Sequence, residues 1–233
     1  MSKWLASVQS LEEAQTLLPI LPDILDMKNP SQGALGALTV NTVSQIVKLI
    51  AGRCHTSATI GDLPMRADLI NTAMIKMASS GVDYIKVGLL TDDNLTNCII
   101  GLANTIKKLR TPVIAVFFAD KTSDVSALLP LLKASGFYGV MIDTAIKNGQ
   151  HLQDHWDLLQ LARFVKAVHQ HNMICGLAGA LRYEDIQQMR PLDADYLGFR
   201  SALCERRQRT SELKLKFAEQ IHQAIKAKTV VAG

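Results

Sequence analysis

Short apolar runs, each followed by a stretch of helical period, recur along this chain, and that alternation points to parallel strands joined by crossover helices. The strand candidates are residues 4–8, 24–27, 57–60, 84–89, 113–118, 139–142, 174–177 and 196–199. They number about eight, the count that closes a parallel barrel. Amphipathic segments at 42–50, 94–109 and 158–169 fill the intervals. Gly52, Gly81 and Gly136 follow helical stretches, where a left-handed residue is wanted before the next strand. No Pro/Gly/Ser-rich linker divides the series, so residues 1–233 are read as a single domain of the α/β class, a (β/α)8 TIM barrel. A doubly wound open sheet is the structural rival, because it produces the same alternation.

Composition narrows the function classes. The chain is 48% apolar and 20% charged with no low-complexity tract, which fits a packed core and excludes a disordered or fibrous sequence. A net charge of +4 with 5% aromatics suits anionic metabolites but lacks the clustered basic footprint of a nucleic-acid binder. Cys54, Cys98, Cys175 and Cys204 form no Cys-x-x-Cys pair, so reduced thiols are expected rather than a zinc site or a disulfide framework. There is no basic n-region with a long apolar stretch behind it and no membrane-spanning run, so a cytoplasmic location is expected.

Three strands carry charges that a packed core does not tolerate unpaired. Asp26 and Lys28 are two apart, so they project from one face. Lys86 stands mid-strand on the face of Tyr84 and Gly88, while Asp143 ends an apolar strand and Lys147 follows in its loop. Pointed into a barrel mouth, these groups converge where barrels build active sites. A lysine attacks a carbonyl only as the free amine, which desolvation or a second cation favours, and the resulting iminium serves as an electron sink. The same residues also suit separate salt bridges or snorkelling side chains. The loops after the last two strands suggest phosphate sites: Gly179 and Ala180 precede a short helix around 184–189, and Gly198, Arg200 and Ser201 close the final strand. The run Arg206-Arg207-Gln208-Arg209 is either a substrate arm or a solvated loop. His151 and His155 are four apart without a readable third ligand, so no metal is expected, and the absence of Gly-x-Gly-x-x-Gly argues against a dinucleotide cofactor.

Several motifs in order resemble one family. They are Asp26-Met27-Lys28-Asn29-Pro30 with Gly33-Ala34-Leu35-Gly36, then Ser57-Ala58-Thr59-Ile60-Gly61-Asp62-Leu63-Pro64, then residues 81–89, then residues 141–149, then Leu177-Ala178-Gly179. Over nearly the whole chain these are similar to the (5-formylfuran-3-yl)methyl phosphate synthases, also called 4-(hydroxymethyl)-2-furancarboxaldehyde phosphate synthases, of methanofuran biosynthesis. The resemblance implies a lyase that condenses two molecules of glyceraldehyde 3-phosphate to a phosphorylated furan aldehyde, with loss of phosphate and water, for a methanofuran-type one-carbon carrier in methanogens and methylotrophs. It implies Lys28 as Schiff-base lysine and Lys86 as proton acceptor, with Asp26, Asp143 and Lys147 as supporting acid/base groups. Ala180 stands where family members carry Ser, and Met27 where they carry Val; neither difference removes a charged group.

Two other function classes share these features. One is another phosphosugar barrel enzyme, a Schiff-base aldolase or a decarboxylase with Asp-x-Lys on an early strand; product analysis separates it. The other is a non-catalytic barrel that binds a phosphorylated metabolite. Under every reading the partner is a small phosphorylated molecule, with no nucleic acid and no membrane, and homo-oligomerisation is left open.

Overall fold

A computed structural model describes residues 2–146 and 148–227. Eight parallel strands close into one barrel in sequence order, each bonded to the next and the last to the first. The strands are β1 (Lys3–Val8), β2 (Ile24–Met27), β3 (His55–Thr59), β4 (Tyr84–Gly88), β5 (Val113–Phe118), β6 (Gly139–Asp143), β7 (Ile174–Leu177) and β8 (Tyr196–Phe199). Closure by β1 against β8, with Leu5 opposite Gly198, rules out the open sheet. The third strand begins at His55 rather than 57, because His55 pairs with Ile24 of β2 although its side chain is exposed.

Helices α1 (Leu11–Thr16), α2 (Val40–Ile50), α3 (Ala67–Ala78), α4 (Leu95–Lys108), α5 (Leu129–Ser135), α6 (Leu152–His155), α7 (Leu158–Gln170), α8 (Ile186–Met189) and α9 (Leu215–Lys226) fill the crossovers. Local chemistry fixes several ends. In α2 the Thr39 hydroxyl accepts from Thr42 N–H at 3.1 Å, and Val43, Ile46 and Ile50 form the buried stripe. In α7 Asp157 accepts from Gln160 N–H at 2.7 Å, and Leu161, Phe164, Val165 and Val168 face the sheet. Burying each such Leu, Val or Phe contributes about 1.5–3 kcal/mol. Gly136 takes the left-handed conformation after α5, as its place in the sequence implies.

Period two sorts the strand residues into two layers. Trp4, Ala6, Val8, Leu25, Met27 and Val87 join the core beneath the helices. Leu5, Ile24, Ile114, Val116, Phe118, Met141 and Tyr196 fill the barrel interior. Met141 needs space there: a Cβ on Gly176 or Gly198 would come within 3.1 Å of its side chain, so those glycines let one long residue occupy the axis. Leu35, from the loop after β2, plugs the β4 and β5 side of the mouth, so close to Gly88 that a Cβ there would lie 2.9 Å from its Cδ1. The opening that remains lies over β1, β6, β7 and β8.

At the opposite end of the barrel one device recurs. An aspartate just before an even-numbered strand accepts a hydrogen bond from the second N–H of the preceding strand: Asp23 from Trp4 at 2.8 Å, Asp83 from Thr56 at 2.7 Å, and Asp195 from Cys175 at 2.7 Å. Each satisfies a donor that the barrel's edge would otherwise leave unpaired.

Candidate active site

The interior of the barrel ends upward in charge. Ser7, Asp26, Lys28, Ser57, Lys86 and Asp143 sit on the inward face and are all buried, Asp26 completely. Asp26 is the hub. Its carboxylate accepts from Ser7 Oγ at 2.9 Å and from Ser57 Oγ at 2.5 Å, and the Lys86 ammonium lies 2.7 Å from Oδ1. Burial raises the Asp26 carboxyl pKa, but the charges of Lys86 and Lys28 and the hydrogen bonds from Lys86 and Ser57 outweigh it and hold the group below the ordinary aspartate value. Lys28 turns instead across the barrel, its Nζ 3.6 Å from Asp143 Oδ2. Asp143 is held in turn by Thr144 N–H, which donates to Oδ1 at 2.7 Å.

Two lysines and two carboxylates thus form two buried ion pairs at the C-terminal ends of β2, β4 and β6, as the period-two reading places them. Lys28, Lys86 and Asp143 open into one pocket with Ser7, Gly179, Ala180, Gly198, Arg200, Ser201 and Arg209, while Asp26 lies beneath it. Lys147 lies outside the described residues.

The phosphate candidates divide by what they can offer. Gly179 and Ala180 both have positive φ, 118° and 50°, and their N–H groups donate to no other described residue. The N–H of Ser201 is likewise uncommitted among the described residues. Arg200 differs, because its five N–H donors are all engaged within the protein. Nη1 meets Glu13 Oε2 at 2.5 Å and Ser7 O at 3.1 Å, Nη2 meets Glu13 Oε1 at 3.0 Å and Ser211 O at 3.3 Å, and Nε meets Arg209 O at 2.7 Å. Arg200 therefore builds the pocket wall while its own donors face protein.

Two contributors, Glu13 and Asp120, escaped the sequence reading, and a third, Arg209, belongs to the run read as either a substrate arm or a solvated loop. Glu13 came from α1, where an acid in the first turn reads as ordinary helix-dipole chemistry. Asp120, just past β5, accepts from Ala145 N–H at 2.7 Å and Ile146 N–H at 2.8 Å and so pins the loop after β6. Arg209 folds back over the mouth from the loop after β8. Ser7 and Ser57 had a readable signal, hydroxyls on the inward face of otherwise apolar or β-branched strands. His151 stands between Asp154 and Asp185, at 3.6 and 3.4 Å, in the loop leading to α6. Among the described residues no group of three or more His, Cys, Asp or Glu could hold a metal ion, and no helix is long and apolar enough to cross a membrane.

Residues 4–222 match the family model described as 4-HFC-P synthase. The chain belongs to the 4-HFC-P synthase family. A (5-formylfuran-3-yl)methyl phosphate synthase of Methanopyrus kandleri is 34% identical over 192 residues, 76% of this chain and 81% of that protein. The protein of the same name from Methanocaldococcus jannaschii is 34% identical over 159 residues, 64% of this chain and 67% of its own length. Solved structures share the barrel of this 4-HFC-P synthase family member at low identity. A 3-hexulose-6-phosphate synthase superposes with a TM-score of 0.68 at 14% identity, covering 96% of this chain and 99% of that one. A phosphoribosyl anthranilate isomerase from Thermus thermophilus gives 0.64 at 10%, covering 97% and 98%.

Proposed function

We propose that this chain is a lyase that condenses two molecules of glyceraldehyde 3-phosphate to 4-(hydroxymethyl)-2-furancarboxaldehyde phosphate, with loss of phosphate and water, toward a methanofuran-type one-carbon carrier. The observation that carries the reading is the pair of buried lysine–carboxylate contacts, Lys28 with Asp143 and Lys86 with Asp26, at the mouth of one pocket. Family membership and the named relatives support the same reaction.

In this reading Lys28 is the nucleophile. Its proton passes to Asp143, the amine adds to a substrate carbonyl, and loss of the carbonyl oxygen as water leaves an iminium. Asp143, 3.6 Å away, is placed to return the proton to that leaving oxygen. The iminium acidifies the neighbouring carbon, and Lys86 is the group that moves the proton there. Lys147 is assigned a supplementary acid/base role in this chemistry. The N–H groups of Gly179, Ala180 and Ser201 and the backbone around Gly198 receive phosphate, with Arg200 shaping that wall.

The test is incubation of the purified protein with glyceraldehyde 3-phosphate and mass analysis of the products. A furan aldehyde phosphate and free inorganic phosphate are expected. An aldol adduct that stops at the six-carbon bisphosphate, or unreacted triose, would overturn the reading.

A further inference from the structure

The loop after β8 makes an excursion and comes back. Cys204 bridges Leu213 in antiparallel sense, Lys214 N–H returns to Leu203 O at 2.9 Å, and the residues between them carry Arg209 across the end of β1. There the Arg209 Nη2 donates to Pro30 O at 2.7 Å and to Gly33 O, both in the loop after β2. That loop is itself fixed, since Asp62 accepts from Leu35 N–H at 3.1 Å. At its root the excursion is held by Arg200, which reaches both Arg209 O and Ser211 O. The Arg209 guanidinium is thus tied at both ends to rigid parts of the barrel.

No described carboxylate lies within ion-pair distance of the Arg209 guanidinium. The three carboxylates under and beside the pocket, Asp26, Asp143 and Glu13, each meet a cation, Lys86, Lys28 and Arg200, at 2.7, 3.6 and 2.5 Å. Arg209 also lines the pocket. Its Nε is buried without a hydrogen-bond partner. Burial, with the nearby Arg200 charge, pushes its pKa below the usual arginine value, against the pull of Asp143 and Asp62. Nη2 is committed to the two carbonyls and Nε is buried, so Nη1, for which no described residue is a hydrogen-bond partner, is the donor that remains. A pocket-lining guanidinium without a carboxylate partner is an arrangement that an anion completes.

We infer that Arg209 is a substrate-binding residue that receives the phosphate group of the substrate in this pocket, and that Arg200 is a positioning residue that fixes Arg209 there. The inference deepens the proposed function by naming the side chain that selects a phosphorylated substrate, and it rests on that reading only for the identity of the triose. Arg207, two residues earlier, has no such place: it forms an exposed ion pair with Glu184.

Inorganic phosphate is the probe, titrated calorimetrically into the full chain and into Arg209→Ala, Arg209→Lys and Arg207→Ala, each checked by thermal melt. Loss of a charge-assisted contact predicts phosphate binding weakened by roughly 10- to 100-fold in Arg209→Ala. Arg209→Lys, which keeps the charge but not the guanidinium's anchors to Pro30 O and Gly33 O, should fall between, and Arg207→Ala should match the parent. With glyceraldehyde 3-phosphate as substrate, Arg209→Lys should raise KM with kcat little changed. Unaltered phosphate affinity in both Arg209 variants, or no phosphate binding by the parent, overturns the inference. If the parent makes the furan product while the Arg209 variants keep its KM, the assignment fails and the function stands. If phosphate binding depends on Arg209 but no furan forms, the function fails and the assignment stands.

Discussion

The Lys86 ammonium lies 2.7 Å from the Asp26 carboxylate, and the two side chains are 4% and 0% exposed, on strands separated by β3. Removing one member of such a pair leaves the other charged in a dry interior, typically at a cost of about 3–5 kcal/mol. Lys86→Met is therefore expected to lower stability by about that much as well as to stop product formation. Asp26→Asn combined with Lys86→Met should recover much of the stability while remaining inactive. Chemical denaturation beside a turnover assay checks both. Lys86→Met with the parent's stability would mean that Asp26 is neutral in the folded protein, and with the parent's turnover that Lys86 moves no proton.

Asp26 also sets a pH dependence. Its folded pKa is depressed, because Lys86, Lys28 and Ser57 together outweigh its burial, whereas in the unfolded chain it takes the ordinary value of about 3.9. The unfolded state then binds the proton more readily. The contribution to stability is present above about pH 3.9 and is lost as pH falls through the lower, folded value. Denaturant midpoints measured between about pH 5 and pH 2 should fall less steeply for Asp26→Asn than for the parent. Identical slopes would show that Asp26 titrates alike in both states.

Away from the pocket, Asp83 accepts from both Thr56 N–H at 2.7 Å and Thr56 Oγ1 at 2.8 Å. Asp83→Ala leaves a buried threonine with two unmet donors, and a loss of about 1–3 kcal/mol is expected. Turnover per folded molecule should not change, since Asp83 lies at the end of the barrel opposite the pocket. A drop in kcat at full folding would mean that the two ends of the barrel are coupled.

Much of this was legible in the sequence for one physical reason. Parallel strands buried on both faces read as short apolar runs, so a charge within such a run must face either helices or the axis, and the closed barrel turns Lys86, between Ile85 and Val87, to the axis. Pairing was harder to read. Asp26 and Lys28 share a face, but residues two apart stand about 6.6 Å from each other along a strand. Each instead found a partner across the barrel, which depends on how the strands close. Arg209 was the least legible, because its donors meet carbonyls 176 and 179 residues earlier and no periodicity encodes a loop folding back that far. Glu13 likewise meets Arg200 across 187 residues.

Lys28 is the residue on which the Schiff-base reading turns. Its Nζ sits 3.6 Å from Asp143 Oδ2, longer than the 2.7 Å of the Lys86 pair, and unlike Asp26 it lines the pocket that a substrate would enter. The nearby Lys86 charge favours the free amine of Lys28, whereas Asp26 and Asp143 favour the ammonium, so the balance among the four groups sets nucleophilicity. Borohydride reduction in the presence of glyceraldehyde 3-phosphate should add a triose-derived mass to the peptide that carries Lys28. Lys28→Arg should lose both adduct and activity, because a guanidinium stays protonated and cannot form the imine. Asp143→Asn should slow adduct formation without abolishing it, since it removes the proton shuttle and leaves the amine. An adduct confined to Lys86 or Lys147 would reassign the nucleophile, and turnover with no adduct on any lysine would remove covalent catalysis from the mechanism.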